Sequence, residues 1–207
     1  MISFENQKRI LDIITALTLM VIFLPIWIIV PLLIWLESGL PIFFTHRRVG
    51  KNGQEFNLLK FRSMVKGADD LLHHHNQKLL QKFKDNDWKL KDDPRITTLG
   101  KFLRSLTIDE FPQILNVLRG EMSMVGPRAY VRKELAEQTK KYSSTKKYVE
   151  QILSVKPGIT GPWQTSGRNE ISFKIRAKMD AEYAKNKSIW ADIKILFKTP
   201  QAMISKW

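Results

Sequence analysis

Apolar residues fill the segment from Ile13 to Leu36, in which Thr15 and Thr18 are the only polar aliphatic side chains. A helix of this length can enter the hydrocarbon core of a bilayer. It is longer than the apolar part of a cleaved signal peptide, and no small-residue cleavage pattern follows it. The pattern therefore predicts a segment that stays in the membrane.

Pro25 lies near the middle of this segment. A proline inside a helix removes one backbone hydrogen bond and clashes with the preceding turn, so we expect a break near Pro25. Because basic flanks favour the cytoplasmic side and are found at both ends, they predict a re-entrant helix-break-helix anchor over residues 1–40. A kinked spanning helix is the alternative, since spanning helices tolerate prolines. The basic flanks are Lys8 and Arg9 before the segment and His46, Arg47, Arg48 and Lys51 after it.

Asp12 stands at the edge of the apolar segment. It follows Lys8 by four residues and Arg9 by three, which are neighbouring positions on a helix. We expect a local ion pair at the level of the lipid headgroups.

Residues 41–64 place aromatic and β-branched positions on both sides of Lys51-Asn52-Gly53. Asn-Gly is the strongest short signal for a β-hairpin. Lys60 and Arg62 are two residues apart, so on a strand they share a face. This face is either a solvated surface or a phosphate-binding one.

Residues 65–91 are polar, rich in lysine and weakly periodic, and we interpret them as a variable insert in the form of a solvated linker or peripheral helix. His73, His74 and His75 are consecutive. Metal ligands on one helix face should be three or four residues apart, so this spacing does not indicate a metal site.

Asp109 and Glu110 form an acidic pair in a basic part of the chain. A short helix is expected over Gly100–Leu106 and a second one from about Thr107, because Thr107 and Glu110 have the spacing of a capping box. Such a position at the positive end of a helix favours an ionised Asp109, which is a usable nucleophile toward phosphorus. Pro112 then falls in or next to the first turn, and Gly120 ends the helix.

The remaining chain combines loops with two helices. Residues 156–162 and 166–168 are loops by composition. A polar helix that carries Asp180 follows. Residues 188–207 mix Trp190, other apolar residues and lysines, which is typical of an amphipathic helix in the membrane interface or of an ordinary core-facing helix.

The net charge is +14, with 34 Lys and Arg against 20 Asp and Glu, and the isoelectric point is about 10.0. A polyanionic partner is expected: nucleic acid, an anionic membrane or a phosphorylated small molecule. The chain has no cysteine, which excludes disulfides and thiolate chemistry.

Taken together, these residues resemble the bacterial sugar transferases, which are monotopic polyprenyl-phosphate phosphoglycosyl transferases. The similarity covers nearly the whole chain, and residues 65–91 are its least constrained part. It is carried by Lys8-Arg9 with Asp12, Arg48-Val49-Gly50, 60–64, 93–97, Asp109-Glu110 with Pro112-Gln113, Asn116-Val117, Met122-Ser123, 126–128, 156–161, 166–168, Asp180, Tyr183, Trp190 and Lys198-Thr199.

The resemblance implies a mainly α fold with a small β-hairpin, a re-entrant anchor, and interfacial amphipathic helices. Residues 41–207 would form a catalytic domain at the cytoplasmic face of the bacterial inner membrane. The implied reaction transfers a phospho-sugar from a UDP-sugar to polyprenyl phosphate with Mg²⁺ and releases UMP, as the first membrane step of a bacterial glycan pathway. A homo-oligomer is also compatible with the family.

By the same resemblance, Asp109 matches the nucleophile that forms a phosphosugar-aspartyl intermediate, and Glu110 matches its partner, implicated in binding Mg²⁺. The implied substrate-binding residues are Lys60, Arg62, Arg104, Arg128 and Asp180. Mg²⁺ prefers oxygen ligands and usually binds through one or two carboxylates and substrate phosphates. Residues 163–168 look closer to relatives that handle galactose or glucose.

One position departs from the family. Leu24 precedes Pro25 where the family often has Ser, whose hydroxyl could take up a freed backbone group at the break. Leu cannot do this, so the departure leaves the stabilisation of the bend unexplained.

Two other functions would use part of these features. A membrane-bound Mg²⁺-dependent phosphatase would use the same Asp nucleophile but deliver the phosphoryl group to water. A non-enzymatic basic module that binds lipid or nucleic acid would leave Asp109 and Glu110 unexplained, because carboxylates repel phosphates unless a metal or a catalytic role intervenes. We therefore expect no nucleic-acid partner.

Overall fold

The structure is a computed structural model that describes residues 3–73, 76–85, 90, 92–167 and 171–203. In this part of the chain it is mainly helical, with two small two-stranded sheets. The α-helices are α1 Phe4–Ile22, α2 Leu24–Ser38, α3 Ala68–His73, α4 Gln77–Asp85, α5 Thr98–Ser105, α6 Gln113–Arg119, α7 Arg132–Lys141, α8 Lys146–Leu153, α9 Phe173–Asn186 and α10 Ile189–Met203. The strands are β1 Phe43–Val49, β2 Glu55–Phe61, β3 Ser123–Val125 and β4 Gly158–Thr160.

The N-terminal apolar segment is a bent pair of helices. Helices α1 and α2 meet at Phe23 with a bend of 63°. Pro25 lies in the first turn of α2, where a missing backbone N–H has no helical partner to lose. The predicted break is therefore confirmed, two residues before the proline. Among the described residues, neither helix alone is long and apolar enough to cross a membrane, whereas the bent pair together meets the requirement by length and composition only.

Helix α1 is fixed to the rest of the protein through buried polar contacts. The Asp12 carboxylate is 3% exposed and accepts hydrogen bonds from the Ser123 hydroxyl and the Met124 N–H, both at 2.9 Å. Lys8 lies 3.8 Å from Asp12 and 2.5 Å from the buried Asp192 of α10. The expected local pair of Lys8 and Asp12 exists, but Asp12 mainly binds β3. The spacing along α1 could not reveal that long-range partner.

The predicted hairpin is confirmed. Strands β1 and β2 pair antiparallel from Phe43 opposite Phe61 to Val49 opposite Glu55. The turn is a short 3-10 helix, Lys51–Gly53, in which Asn52 has φ 57° and Gly53 φ 76°. Asn and Gly tolerate positive φ better than other residues, which explains their place here.

The described part of residues 65–91 contains two helices, which matches the predicted peripheral helix rather than a solvated linker. Helices α3 and α4 occupy the described part, and Leu72 is 2% exposed. The Arg95 guanidinium binds both Asp93 carboxylate oxygens and reaches the carbonyl of Ala68 at the start of α3. The insert is thus anchored at its first helix. His74 and His75 lie outside the described residues.

A second sheet, which the sequence analysis missed, joins β3 and β4 in parallel, with Ser123 opposite Gly158 and Val125 opposite Thr160. The segment 156–162 was predicted to be a loop. A Cβ atom added at Gly158 would lie 2.0 Å from the backbone nitrogen of Gly126, so the close approach of the two segments requires glycine. Parallel pairing of strands this short is non-local, and composition does not report it.

Three groups of buried apolar side chains form the core. One group includes Ala16 of α1, Val117 of α6 and Met122, and it joins the N-terminal helix to the centre of the molecule. A second lies among α7, α8 and α9. A third joins Val30 and Ile34 of α2 to Phe61 and Leu103. The apolar helices α1 and α2 also keep an outer face exposed, formed by Ile10, Ile14, Leu17, Val21, Ile22, Leu24, Ile28, Ile29, Leu32, Leu33, Trp35 and Leu36.

Candidate active site

Asp109 and Glu110 lie in a tight 3-10 turn, Ile108–Glu110, rather than at the start of a helix. Thr107 precedes the turn with φ 60°, and its side chain makes no capping hydrogen bond. Its hydroxyl lies 3.0 Å from the carbonyl of Met203, to which it donates. The predicted capping box is therefore wrong, and the next helix, α6, begins only at Gln113. Gly120 ends α6 with φ 81°, as predicted.

Lys60 connects the hairpin to the acidic pair. Its Nζ lies 2.6 Å from Oε1 of Glu110 and 3.9 Å from Oδ2 of Asp109. The side chain of Asp109 is 6% exposed and that of Glu110 31%. The three residues thus form one cluster of two carboxylates and a cation, with Glu110 the more accessible acid.

Burial raises the pKa of the Asp109 carboxyl. The negative charge of Glu110 acts in the same direction, while the cations Lys60 and Arg104 oppose both. The helix end that was expected to favour an ionised Asp109 is absent, and the net shift of the Asp109 pKa is upward. The acidic turn ends before α6 begins, and desolvation of a nearly enclosed carboxylate outweighs the lowering influences.

Asn116 of α6 fixes the strand that carries Lys60. This buried side chain accepts a hydrogen bond from the N–H of Leu59 at 3.0 Å and donates to the carbonyl of Asn57 at 2.8 Å. Its amide nitrogen also donates to Glu121 at 2.7 Å. One carboxamide therefore takes the place of a neighbouring strand along the free edge of β2. This holds Lys60 in register with the acidic turn.

Arg104 is brought to the site by the end of α5, immediately before the acidic turn. Its side chain is partly buried, and its positive charge lowers the pKa of Asp109. Its charge is therefore felt at Asp109, while its role in binding substrate stays a prediction.

Arg128 and Asp180 lie together in a neighbouring group of charges. The Arg128 N–H donates to Oδ2 of Asp180 at 3.1 Å, and its guanidinium lies 5.3 Å from the ring centre of Trp163. Burial raises the pKa of Asp180 to about 7, although the Arg128 N–H and the charge of Arg176 lower it. Asp180 is fully buried, so its contacts are with the protein around it. Arg168, near this group in sequence, lies outside the described residues.

Arg48 joins the two groups of charges. Its guanidinium donates to the carbonyl of Ala129 at 3.1 Å, next to Arg128. Burial and the charge of Arg128 lower the pKa of Arg48 to about 10, against the opposing charges of Glu134 and Glu110. Sequence analysis gave Arg48 no catalytic place, although the hairpin register puts it opposite Phe56 and Lys60 opposite Phe44, on one face of the sheet.

Arg62 has a different environment from Lys60. It follows the end of β2 and is 7% exposed. Its Nη2 donates to the Ser38 hydroxyl and to the Gly39 carbonyl, both at 2.6 Å. These contacts cap the C-terminal end of α2, where free carbonyls attract a cation. The structure therefore places Arg62 at the C-terminal end of α2.

The break in the apolar segment touches the acidic turn. The ring of Phe23, between α1 and α2, meets the ring of Phe111 edge-on with centroids 5.1 Å apart. Phe111 directly follows Glu110. The bend between α1 and α2 is therefore in contact with the residue that follows the acidic pair.

With substrate phosphates as further ligands, the acidic pair would offer the oxygen ligands that Mg²⁺ prefers. Within the described residues, no three His, Asp or Glu side chains gather into a metal-binding group. Two adjacent carboxylates with one accessible member, surrounded by cations for phosphate, match the usual binding of Mg²⁺ through one or two protein carboxylates. Glu110 is the accessible member and the better ligand.

The sequence of this chain matches the model of a family of transferases. The model of the family described as bacterial sugar transferase matches residues 4–206. The chain belongs to this family.

Similar proteins come from several bacteria. The UDP-galactose-lipid carrier transferase of Erwinia amylovora is 43% identical over 199 residues, which are 95% of this chain and 40% of that protein. The exopolysaccharide production protein ExoY of Sinorhizobium fredii is 41% identical, covering 95% of this chain and 85% of that protein. The undecaprenyl-phosphate galactose phosphotransferase of Salmonella typhimurium is 39% identical, covering 99% of this chain and 42% of that protein. The chain thus spans less than half of two of these relatives and most of the third.

Proposed function

We propose that this chain is a membrane-associated phosphoglycosyl transferase that moves a hexose 1-phosphate from a UDP-sugar to polyprenyl phosphate and releases UMP. The observation that carries the proposal is the cluster of Asp109, Glu110 and Lys60 in contact with the break of the apolar helix pair. A water-soluble donor and a lipid acceptor can both reach such a place. Galactose and glucose are the first sugars to test, because relatives carry their names.

The reaction is proposed to proceed in two displacements at one phosphorus. A carboxylate oxygen of Asp109 attacks the sugar-bearing phosphorus of the UDP-sugar, and the bond from that phosphorus to the UMP oxygen breaks. An oxygen of polyprenyl phosphate then attacks the same phosphorus. The bond to Asp109 breaks, and the products are a polyprenyl diphosphate sugar and the free carboxylate. Covalent catalysis lets the two substrates use the site in turn.

Neighbouring residues have separate tasks in this scheme. Lys60 and Arg104 lower the charge barrier between the Asp109 carboxylate and the anionic diphosphate. Their charges also oppose the effect of burial and keep more of Asp109 ionised. Glu110 would hold Mg²⁺, which when bound neutralises the diphosphate and the departing UMP. Arg128, with Arg48 beside it, is the further candidate for a phosphate contact.

The proposed location is the cytoplasmic face of the bacterial inner membrane. Helices α1 and α2 would enter the inner leaflet together and leave on the same side, because basic residues flank both ends. The exposed Trp190 and Phe197 of α10 suit the membrane interface, while Asp192 and Leu196 on the same helix pack inward. Cysteines introduced before and after the break should be labelled from one face of the membrane. Labelling from opposite faces would reject the re-entrant anchor.

The direct test incubates the membrane-bound chain with UDP-galactose or UDP-glucose and Mg²⁺. UMP release and an acid-isolable phosphosugar adduct on Asp109 are expected, and Asp109→Asn should abolish both. An adduct that persists in this variant would overturn the assignment of the nucleophile. Release of phosphate with no lipid-linked sugar would instead identify a phosphatase.

A further inference from the structure

Arg128 and Trp163 follow the ends of the two strands of the parallel sheet. Strands β3 and β4 pair with Val125 opposite Thr160, and each of the two residues comes three positions after its member of this pair. The Gly126 N–H donates to the Thr160 carbonyl at 2.9 Å, so the pairing continues past Val125. Because parallel strands end at the same edge of a sheet, this register brings Arg128 and Trp163 together.

The contact between the two side chains is that of a cation with an aromatic ring. The Arg128 guanidinium lies 5.3 Å from the ring centre of Trp163, a residue that is 6% exposed. The attraction between a guanidinium and an indole is larger where water is excluded. The indole N–H is buried and makes no hydrogen bond within the described part of the chain. Trp163 therefore meets its charged neighbour with its ring rather than with its polar edge.

The same ring is in contact with a second cation, Arg176 of α9. Its guanidinium lies 5.4 Å from the ring centre of Trp163, and Nη2 lies 3.4 Å from a carboxylate oxygen of Glu134, which compensates the charge. Asp180 follows Arg176 by four residues, one turn along the same face of α9, and accepts the backbone N–H of Arg128 at 3.1 Å. Helix α9 thus holds the ring of Trp163 through one residue and the main chain of Arg128 through the other.

The charge of Arg128 is available to a ligand. Among the described residues its guanidinium makes no hydrogen bond and no ion pair, whereas that of Arg176 is paired with Glu134. Arg128 is half-buried, and Arg48 beside it is a second cation whose guanidinium donates to the carbonyl of Ala129. Two neighbouring guanidinium groups with donors left over are suited to bind the oxygens of a phosphate.

We propose that Trp163 is a positioning residue of the donor site, whose ring holds the Arg128 guanidinium for the diphosphate of the UDP-sugar, and that Arg176 holds the ring. The inference rests on the proposed function and adds to it the group that orients one of its cations. Fixing a long arginine side chain before the substrate arrives lowers the entropic cost of binding. If Trp163 only filled the core, its effect on the donor would not depend on Arg128.

The test is a double-mutant cycle on Trp163 and Arg128, measured as kcat/KM for UDP-galactose or UDP-glucose in UMP release. Trp163→Leu should lower kcat/KM about tenfold, chiefly through a higher KM, because Arg128 is no longer held. In an Arg128→Met background the same change should alter kcat/KM by less than about twofold. Trp163→Phe should stay within about threefold of the parent, because it keeps the aromatic face and loses no hydrogen bond to the described residues.

Tyr148→Leu is the matched control. Its ring is partly buried in the core group among α7, α8 and α9 and lies 5.2 Å from the ammonium of Lys147, so it also removes a cation–ring contact. The variant should leave kcat/KM and KM within about twofold of the parent. Thermal unfolding of every variant, with kinetics recorded well below each transition, separates a loss of stability from a loss of donor binding.

The outcomes are distinguishable. The same factor for Trp163→Leu in the parent and in Arg128→Met would overturn the inference, because Trp163 would then act independently of Arg128. An equal loss in Trp163→Phe and Trp163→Leu, or an Arg128→Met variant with the KM of the parent, would overturn it as well and leave the proposed function intact. A parent chain that releases no UMP would reject the proposed function, and the inference with it.

Discussion

The side-chain oxygen of Asn116 accepts a hydrogen bond from the backbone N–H of Leu59 at 3.0 Å, directly beside Lys60. The contact joins α6 to the open edge of β2, and through that strand it sets the position of the lysine that faces Glu110. Asn116 is neither charged nor a nucleophile, but it helps to position Lys60 in the candidate site.

Replacement of Asn116 by Leu should destabilise the fold and disturb the site. The N–H of Leu59 and the carbonyl of Asn57 would lose their partner in a buried place, which reduces the free energy of unfolding by about 1–3 kcal/mol. UMP release should fall as Lys60 loses its register. Chemical unfolding in detergent checks the first expectation. Asn57→Ala is the control, because its exposed side chain is removed while its hydrogen-bonding carbonyl is kept; equal effects of the two variants would contradict the assignment.

Lys60→Met should reduce kcat/KM for UMP release by about 100-fold or more, through loss of a cation near developing negative charge. It should also change the pH profile. The charge of Lys60 lowers the pKa of Asp109, so its removal raises that pKa, and the acidic limb of the profile moves to higher pH. Lys60→Arg should restore part of the rate. The exposed Lys66→Met should change neither quantity, and an acidic limb that stays in place in Lys60→Met would disprove the role.

Asp180 predicts a dependence of stability on pH. Its pKa in the folded protein is about 7, well above the ordinary value of 3.8, in a pocket with Arg128, Arg176 and Tyr130. The folded state therefore holds a proton that the unfolded state releases, and stability is lost as pH rises from about 4 to 7. A shift of about 3 pKa units limits this loss to about 4 kcal/mol. Asp180→Asn should remove this pH-dependent loss. In thermal unfolding, the stability of the variant relative to the parent should therefore rise between pH 5 and 8. A difference that is constant with pH would refute the prediction.

Asp12→Ala should loosen α1 from the body of the protein. The Ser123 hydroxyl and the Met124 N–H would lose a buried acceptor, and Lys8 would keep only Asp192. The free energy of unfolding should drop by about 2–4 kcal/mol. Glu5 lies on the same helix as Asp12 and forms an exposed ion pair with Lys187, which follows α9. Glu5→Gln removes this pair and should lower the free energy of unfolding by less than about 1 kcal/mol. Limited proteolysis and chemical unfolding measure the stability of both variants. An equal loss of stability in Asp12→Ala and Glu5→Gln would contradict the importance of the buried contacts of Asp12.

Arg62→Met should act on stability rather than on the donor. Its guanidinium holds the C-terminal end of α2 through Ser38 and Gly39, so the melting temperature should fall. The KM for the UDP-sugar should stay within about twofold. A large increase in that KM, in a variant that unfolds like the parent, would instead indicate that Arg62 binds the substrate phosphate.

Local signals in the sequence predicted local structure well. Asn52-Gly53 predicted the hairpin, Pro25 predicted the break, and Gly120 predicted the end of α6, because each residue constrains its own backbone. Lys60 also lies close to Asp109 and Glu110, within the set of residues expected at one site. That expectation came from the resemblance to a family rather than from periodicity.

Errors arose where distant parts of the chain meet. Thr107 has a positive φ that a β-branched residue rarely adopts, and only its surroundings, including the contact with Met203, explain it. The parallel pairing of β3 with β4, the burial of Asp12 and the turn of Arg62 toward α2 depend on residues far away in sequence. The pKa of Asp109 could not be inferred either, because it depends on how completely the fold excludes water.

The ion pair of Lys8 with Asp192 has a consequence for the order in which the protein is made. The two residues are 184 positions apart, so a ribosome releases the first helix long before it synthesises the partner in α10. In the proposed membrane location, the apolar segment would therefore enter the bilayer before Lys8 can pair with Asp192. The ion pair would then hold α1 in the position that insertion had given it.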